Sequence, residues 1–181
     1  MKSSLCQFFL LLLHCNSKLQ HIYMQKGQTL FYIQAILAGI LIGLGDIVYV
    51  ATESHILGSF LFSLGLLSIL IKGYPLYTGR IGYVDGFKDL WNPRKGMLLI
   101  ILFNFIGIAI VCALANASRL DLSAVDAMVN TKCSQTWYST LFLSWGCGVM
   151  MYLAVNGWKK SQNPLTVIMP IMFFILCGFE H

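Results

Sequence analysis

Apolar residues in this chain fall into five long runs with polar punctuation between them. The runs extend from Thr29 to Thr52, Ile56 to about Ile71, Met97 to Ala117, about Trp137 to Trp158, and Leu165 to His181. A membrane-spanning helix needs about 20 mostly apolar residues, so the runs predict an all-α polytopic membrane protein. The fifth falls short of a full span. The second is interrupted by Gly73-Tyr74-Pro75 and then Thr78-Gly79-Arg80, before an amphipathic piece from Ile81 to Val84.

The interruption admits two readings. Gly73, Pro75 and Gly79 break a helix, and backbone freed at membrane depth is tolerated only where it is buried in protein or lines a cavity. Broken helices of this kind carry the binding sites of transport proteins, and Thr78 would bring a hydroxyl to the break. Alternatively, the segment is a short extramembrane loop joining two ordinary spans, with Lys72 and Arg80 marking a surface.

Composition agrees with a membrane location. Apolar residues make up 57% and charged residues 10%, with a mean hydropathy of +0.74, against roughly 25% charged residues in a soluble domain. The net charge of +5 is not gathered into a basic face with interleaved aromatics, which argues against nucleic acid as a partner. Its placement follows the positive-inside rule. With the N-terminus cytoplasmic, Lys2, Lys18, Lys26, Lys88, Arg94, Lys95, Lys159 and Lys160 lie inside and only Arg119 and Lys132 outside. The expected location is the cell inner (plasma) membrane, multi-pass, in contact with lipid. Thr52 to His55 and Asn116 to Gln135 then face outward.

Residues 1–28 are expected to form a cytoplasmic or interfacial segment ahead of a transmembrane domain over residues 29–181. Lys2 followed by Leu5 to Leu13 has the outline of a signal peptide, but no small-x-small cleavage site follows. An interfacial helix or an early start codon are the other readings. The six cysteines, Cys6, Cys15, Cys112, Cys133, Cys147 and Cys177, are scattered singly. They are expected to be small buried hydrophobes rather than disulfide or metal ligands, and no cofactor is expected.

Chemistry centres on three polar groups. Lys132 precedes the fourth span, where its field would concentrate small anions. Thr78 sits at the break. His181 closes an otherwise apolar stretch and can exchange a proton, with an unperturbed pKa of about 6.5. Together they suit a weak-acid anion that is attracted charged and crosses the apolar part neutral. Plainer readings stand beside this: Lys132 as a solvated or snorkelling lysine, and His181 as a frayed terminal residue. Glu180 and His181 are adjacent and do not share a helix face, and no hydrolase, metalloprotease or nucleotide-binding motif is present. A membrane enzyme using Glu180 and His181 as an acid/base pair therefore lacks a nucleophile or metal set, and the chain is not expected to be an enzyme.

Phe62-Ser63-Leu64-Gly65-Leu66, then Leu76-Tyr77-Thr78-Gly79, and the closing Gly178-Phe179-Glu180-His181 resemble the formate/nitrite transporter family. Ala38-Gly39 through Gly45 and Tyr152-Leu153-Ala154-Val155 fit the same pattern, so the resemblance covers roughly Phe31 to His181. It implies an aquaporin-like fold of six spans in two inverted repeats, with the second and fifth helices broken, and a homopentamer in which each protomer has its own anion pore. By this resemblance His181 matches the central pore histidine, Thr78 the threonine that bonds to it, and Lys132 the anion-attracting lysine of the outer vestibule. Phe62, Leu66, Leu76, Tyr77 and Phe174 match apolar constrictions, and Glu180 a supporting acid. The implied substrate is a small monovalent anion such as formate, nitrite, hydrosulfide or a short carboxylate, accompanied by a proton.

Departures accompany the match. Gly148 stands where many members have asparagine, and Lys72 is unusual within the second span. The family pattern continues past its histidine into the second half of the fifth helix and a sixth span, so about five of six spans are expected here, in a C-terminally incomplete transporter domain. The alternative to an anion transporter is accordingly a membrane-inserted fragment without transport activity.

Overall fold

The computed structural model describes residues 27–84, 86–92, 96–121 and 123–179, and every regular element among them is helical. Helices satisfy their own backbone hydrogen bonds, which is what a chain in hydrocarbon requires. Four of them are long and apolar enough to cross a membrane: α1 (Gly27–Val50), α2 (His55–Lys72), α5 (Met97–Asn116) and α7 (Trp137–Ser161). The expected spans match these within two residues at most ends. Between α2 and α5 lie the single-turn α3 (Tyr77–Arg80), a 3-10 turn over Ile81–Tyr83, and α4 (Phe87–Leu90). The fifth apolar run forms the shorter α8 (Leu165–Leu176).

The second run is a broken helix and not a surface loop. Helix α2 starts at Ser54, whose hydroxyl accepts from the Leu57 N–H at 3.4 Å, and stops at Gly73, which adopts φ +67°. There the Tyr74 N–H donates to Ile69 and the Gly73 N–H to Leu70, each at 3.1 Å, a Schellman closure that returns two carbonyls to hydrogen bonding. Pro75 and Leu76 follow outside any helix, Leu76 in extended backbone, and both are buried. Helix α8 closes in the same way. Gly178 also has φ +67°, with Phe179 N–H bonded to Phe174 and Gly178 N–H to Ile175, each at 3.0 Å. The two stops share a glycine followed by an aromatic residue.

Helices α2 and α8 pack on each other, and α8 returns along α7 after a short connection. Their shared core comprises Phe62, Leu66 and Ile69 of α2, Ala154 of α7, and Val167, Ile171 and Phe174 of α8. Helix α1 crosses α5 at two glycines. A Cβ on Gly39 would run into the Asn104 carbonyl, and one on Gly107 into the Ile36 carbonyl, so the helices meet backbone to backbone, as small residues permit in membranes.

One element was not foreseen: α6 (Ser123–Ser134), which carries Lys132 in its last turn. Its sequence SAVDAMVNTKCS is too polar to register as an apolar run. Ahead of it the Asp121 carboxylate accepts from the Ser123 N–H at 2.9 Å, which holds its carboxyl below the usual range. The cysteine expectation needs correction as well: Cys112, Cys133 and Cys177 are exposed and Cys147 is half-buried. Helix faces that meet lipid or a cavity accept a small apolar thiol as readily as a protein core does. Lys72 gains a physical account, since it is exposed in the last turn of α2, where a cation complements the helix dipole. Residues 1–26, Arg94, Lys95, Glu180 and His181 lie outside the described residues.

Candidate functional site

The break between α2 and α3 leaves backbone groups that neither helix satisfies, and a single side chain takes them up. Asn104, buried at the middle of the apolar α5, accepts the Tyr77 N–H on Oδ1 at 2.9 Å and donates from Nδ2 to the Pro75 carbonyl at 3.0 Å. The same Nδ2 donates to the Ala35 carbonyl of α1 at 2.8 Å. All of its capacity facing the protein is thus spent on holding the break against α1 and α5. Asn104 was not singled out from the sequence. Its signal was present nonetheless, as one amide within the run MLLIILFNFIGIAIVCALAN, and an isolated polar side chain in a membrane helix marks a partner that needs it.

The fixed break presents its two ends to two different cavities. The first, of about 750 Å³, is lined by Tyr77 and Thr78 from the break, Phe62 and Leu66 from α2, Phe174 from α8, and Lys132 from α6. Asn104 and Leu76 also line it. Every described residue offered from the sequence as a pore or constriction residue therefore lines one cavity: Thr78, Lys132, Phe62, Leu66, Leu76, Tyr77 and Phe174. The Phe62 ring is admitted by Gly45, where a Cβ would stand 3.2 Å from it. Thr78 is exposed to this space and Lys132 is exposed at it, whereas Phe62, Leu66, Leu76 and Phe174 are buried.

The second cavity, of about 670 Å³, is more polar. It is lined by Gly73, Tyr74, Gly79, Arg80, Asp89 and Lys159, among others. Lys159 holds its ammonium 3.2 Å from the centroid of the Tyr83 ring, a cation–π contact. Among the described residues Leu76 is the one that lines both cavities, so a 7% exposed leucine side chain stands where the two spaces approach. Gly148 lines neither and has open space around it; α7 meets the first cavity through Cys147 and Met151.

The family model for formate/nitrite transporters matches residues 15–181. The chain belongs to the formate/nitrite transporter family. It is 25% identical to a protein of Haemophilus influenzae named formate channel FocA, and 25% identical to one of Escherichia coli named formate channel FocB, over 86% of this chain in both cases. The chain spans 64% of the length of each of these curated relatives. Among solved structures, a pentameric formate channel with formate bound matches at a TM-score of 0.74 and 25% identity, covering 87% of this chain and 71% of its own.

This formate/nitrite transporter family chain is thus a multi-pass membrane protein with the family's helical fold. Sequence reasoning also passed over Asp46, an acid inside α1 that shares the first cavity with Lys132. Its signal was a charge within an apolar run, read as span because the surrounding residues are so apolar.

Proposed function

We propose that the chain forms a path for small monovalent weak-acid anions such as formate or nitrite, through a pore within each protomer of a homopentamer. The observation that carries this reading is the first cavity, where a lysine, a threonine hydroxyl at a helix break and a buried apolar set come together, with Leu76 facing a second, cation-bearing cavity beyond. Lys132 attracts the anion through its field, strengthened by apolar walls. A bare charge is costly between Phe62, Leu66, Leu76 and Phe174, so the anion crosses there as its neutral acid or with strong hydrogen bonding. Thr78 offers that hydrogen bond, and His181, supported by Glu180, is proposed as the group that exchanges the proton.

Residues 29–181 are read as one transporter domain following an N-terminal segment over 1–28. In the orientation that the positive-inside rule favours, the N-terminus is cytoplasmic in the plasma (inner) membrane. The Lys132 cavity then opens outward and the Arg80 and Lys159 cavity inward.

The test is uptake of labelled formate by proteoliposomes holding this chain, with nitrite as competitor and an imposed proton gradient. Saturable uptake that nitrite inhibits and an inward gradient stimulates is the expected result. Absence of uptake by correctly inserted protein would overturn the proposal. His181→Phe is expected to abolish the gradient's effect while leaving insertion intact, and an unchanged pH response would remove the histidine from the mechanism.

A further inference from the structure

A lysine that gathers anions must also let them go. Conduction requires binding favourable enough to fill a site and weak enough to empty it, and a cation by itself answers only the first need. The cavity that Lys132 lines holds a second charge. Asp46, four residues before the end of α1, lines it together with Lys132. Most of the remaining lining is apolar, including Ile42, Ile47, Val50 and Ile108, with polar groups such as Thr78 and Asn116 among it. An acid within an apolar span is costly and is therefore retained for a partner or a path. Both conditions are met at this position, because the partner cation lies on the wall of the same space.

We propose that Asp46 is a specificity-determining counter-charge of this vestibule, competing with the incoming anion for Lys132 and thereby setting both how strongly anions are held and how readily they leave. This rests on the transport reading given above, but its central claim concerns the field inside the cavity. With Asp46 ionised, the vestibule is close to neutral and an anion is drawn in only by displacing the carboxylate's hold on the ammonium. Without it, the field of Lys132 is no longer offset by that carboxylate. Anions of all kinds then accumulate, and each is released more slowly toward the apolar slit. Discrimination falls as well, because a weak-acid anion loses its advantage over a strong-acid anion that cannot shed its charge further in.

A native thiol lets the field be read without any transport. Cys112 of α5 lines the same cavity and is exposed. In a chain whose other five cysteines are replaced by serine or alanine, Cys112 is reacted in mildly alkaline buffer with an anionic and a cationic methanethiosulfonate of similar size. The ratio of the two rates reports the local potential and cancels changes in thiol reactivity. Removing one unit charge from a space this size should move that ratio on the order of tenfold. Asp46→Asn is expected to shift it toward the anionic reagent, Lys132→Met toward the cationic one, and the double variant back toward the parent. A ratio within about twofold of the parent in Asp46→Asn would overturn the proposal. In the uptake assay Asp46→Asn is expected to lower the half-saturating formate concentration several-fold and the maximal rate with it, and to make chloride and nitrate better competitors. If the labelling ratio shifts as stated while neither parent nor variant takes up formate, the counter-charge stands and the transport reading falls. If uptake is normal and the ratio does not move, the reverse holds.

Discussion

The Asn104 side chain and the Tyr77 backbone are 27 residues apart in sequence and joined by a 2.9 Å hydrogen bond that fixes the start of α3. The bond is what makes the break a defined structure. Tyr77 N–H has no carbonyl behind it because Gly73 ended α2, and hydrocarbon offers no water in its place.

Asn104→Leu keeps the volume and removes all three bonds. A buried backbone group left without its partner costs about 1–3 kcal/mol, so thermal unfolding in detergent should begin several degrees lower. The functional effect should be more selective than the loss of stability. Lys132 is untouched, so the half-saturating formate concentration should stay near the parent value while the maximal rate collapses. An equal change in both would place Asn104 in general stability and not in positioning Thr78.

Much of this was legible in advance, for reasons particular residues make plain. The apolar runs marked α1, α2, α5, α7 and α8 because a bilayer imposes a length on each. Gly73 and Gly178 marked the two helix stops because glycine takes φ +67° at little cost. What escaped depended on pairings across the fold. Asn104 is a single polar letter whose meaning lies in carbonyls at Ala35 and Pro75. Helix α6 is polar on average, and its role depends on where Lys132 lands and not on its own pattern. Asp46 stood out only as a charge in an apolar run, because the cavity it shares with Lys132 joins residues far apart along the chain.

Leu76→Ala tests the partition between the two cavities. Truncating a buried leucine costs about 2–5 kcal/mol, so the variant should unfold earlier, yet it should pass larger cargo. Uptake of lactate relative to formate is expected to rise several-fold. A ratio unchanged from the parent would show that the limiting width lies elsewhere, at Phe62 or Phe174.

Lys132→Met should weaken formate collection without disturbing the slit. The half-saturating concentration is expected to rise several-fold and its dependence on ionic strength to flatten, because the term that salt screens has been removed. Retention of the parent's salt dependence would exclude Lys132 as its origin.

Glycine is required at Gly73, Gly178 and Gly39 for two different reasons, and alanine separates them. At Gly73 and Gly178 nothing among the described residues stands within 4 Å of an added Cβ, so the cost of alanine is conformational, about 1–2 kcal/mol for left-handed backbone. The two variants should lose similar stability, and asparagine, which tolerates this region better, should recover part of it at both. At Gly39 an added methyl meets the Asn104 carbonyl at the crossing of α1 and α5, and no residue larger than glycine relieves that. Gly39→Ala should therefore destabilise more than either cap variant, and Gly39→Asn more still. Thermal unfolding of the six variants side by side checks the ordering. Rescue of Gly39 by asparagine would show that the crossing yields, and with it the anchor that Asn104 provides for the break.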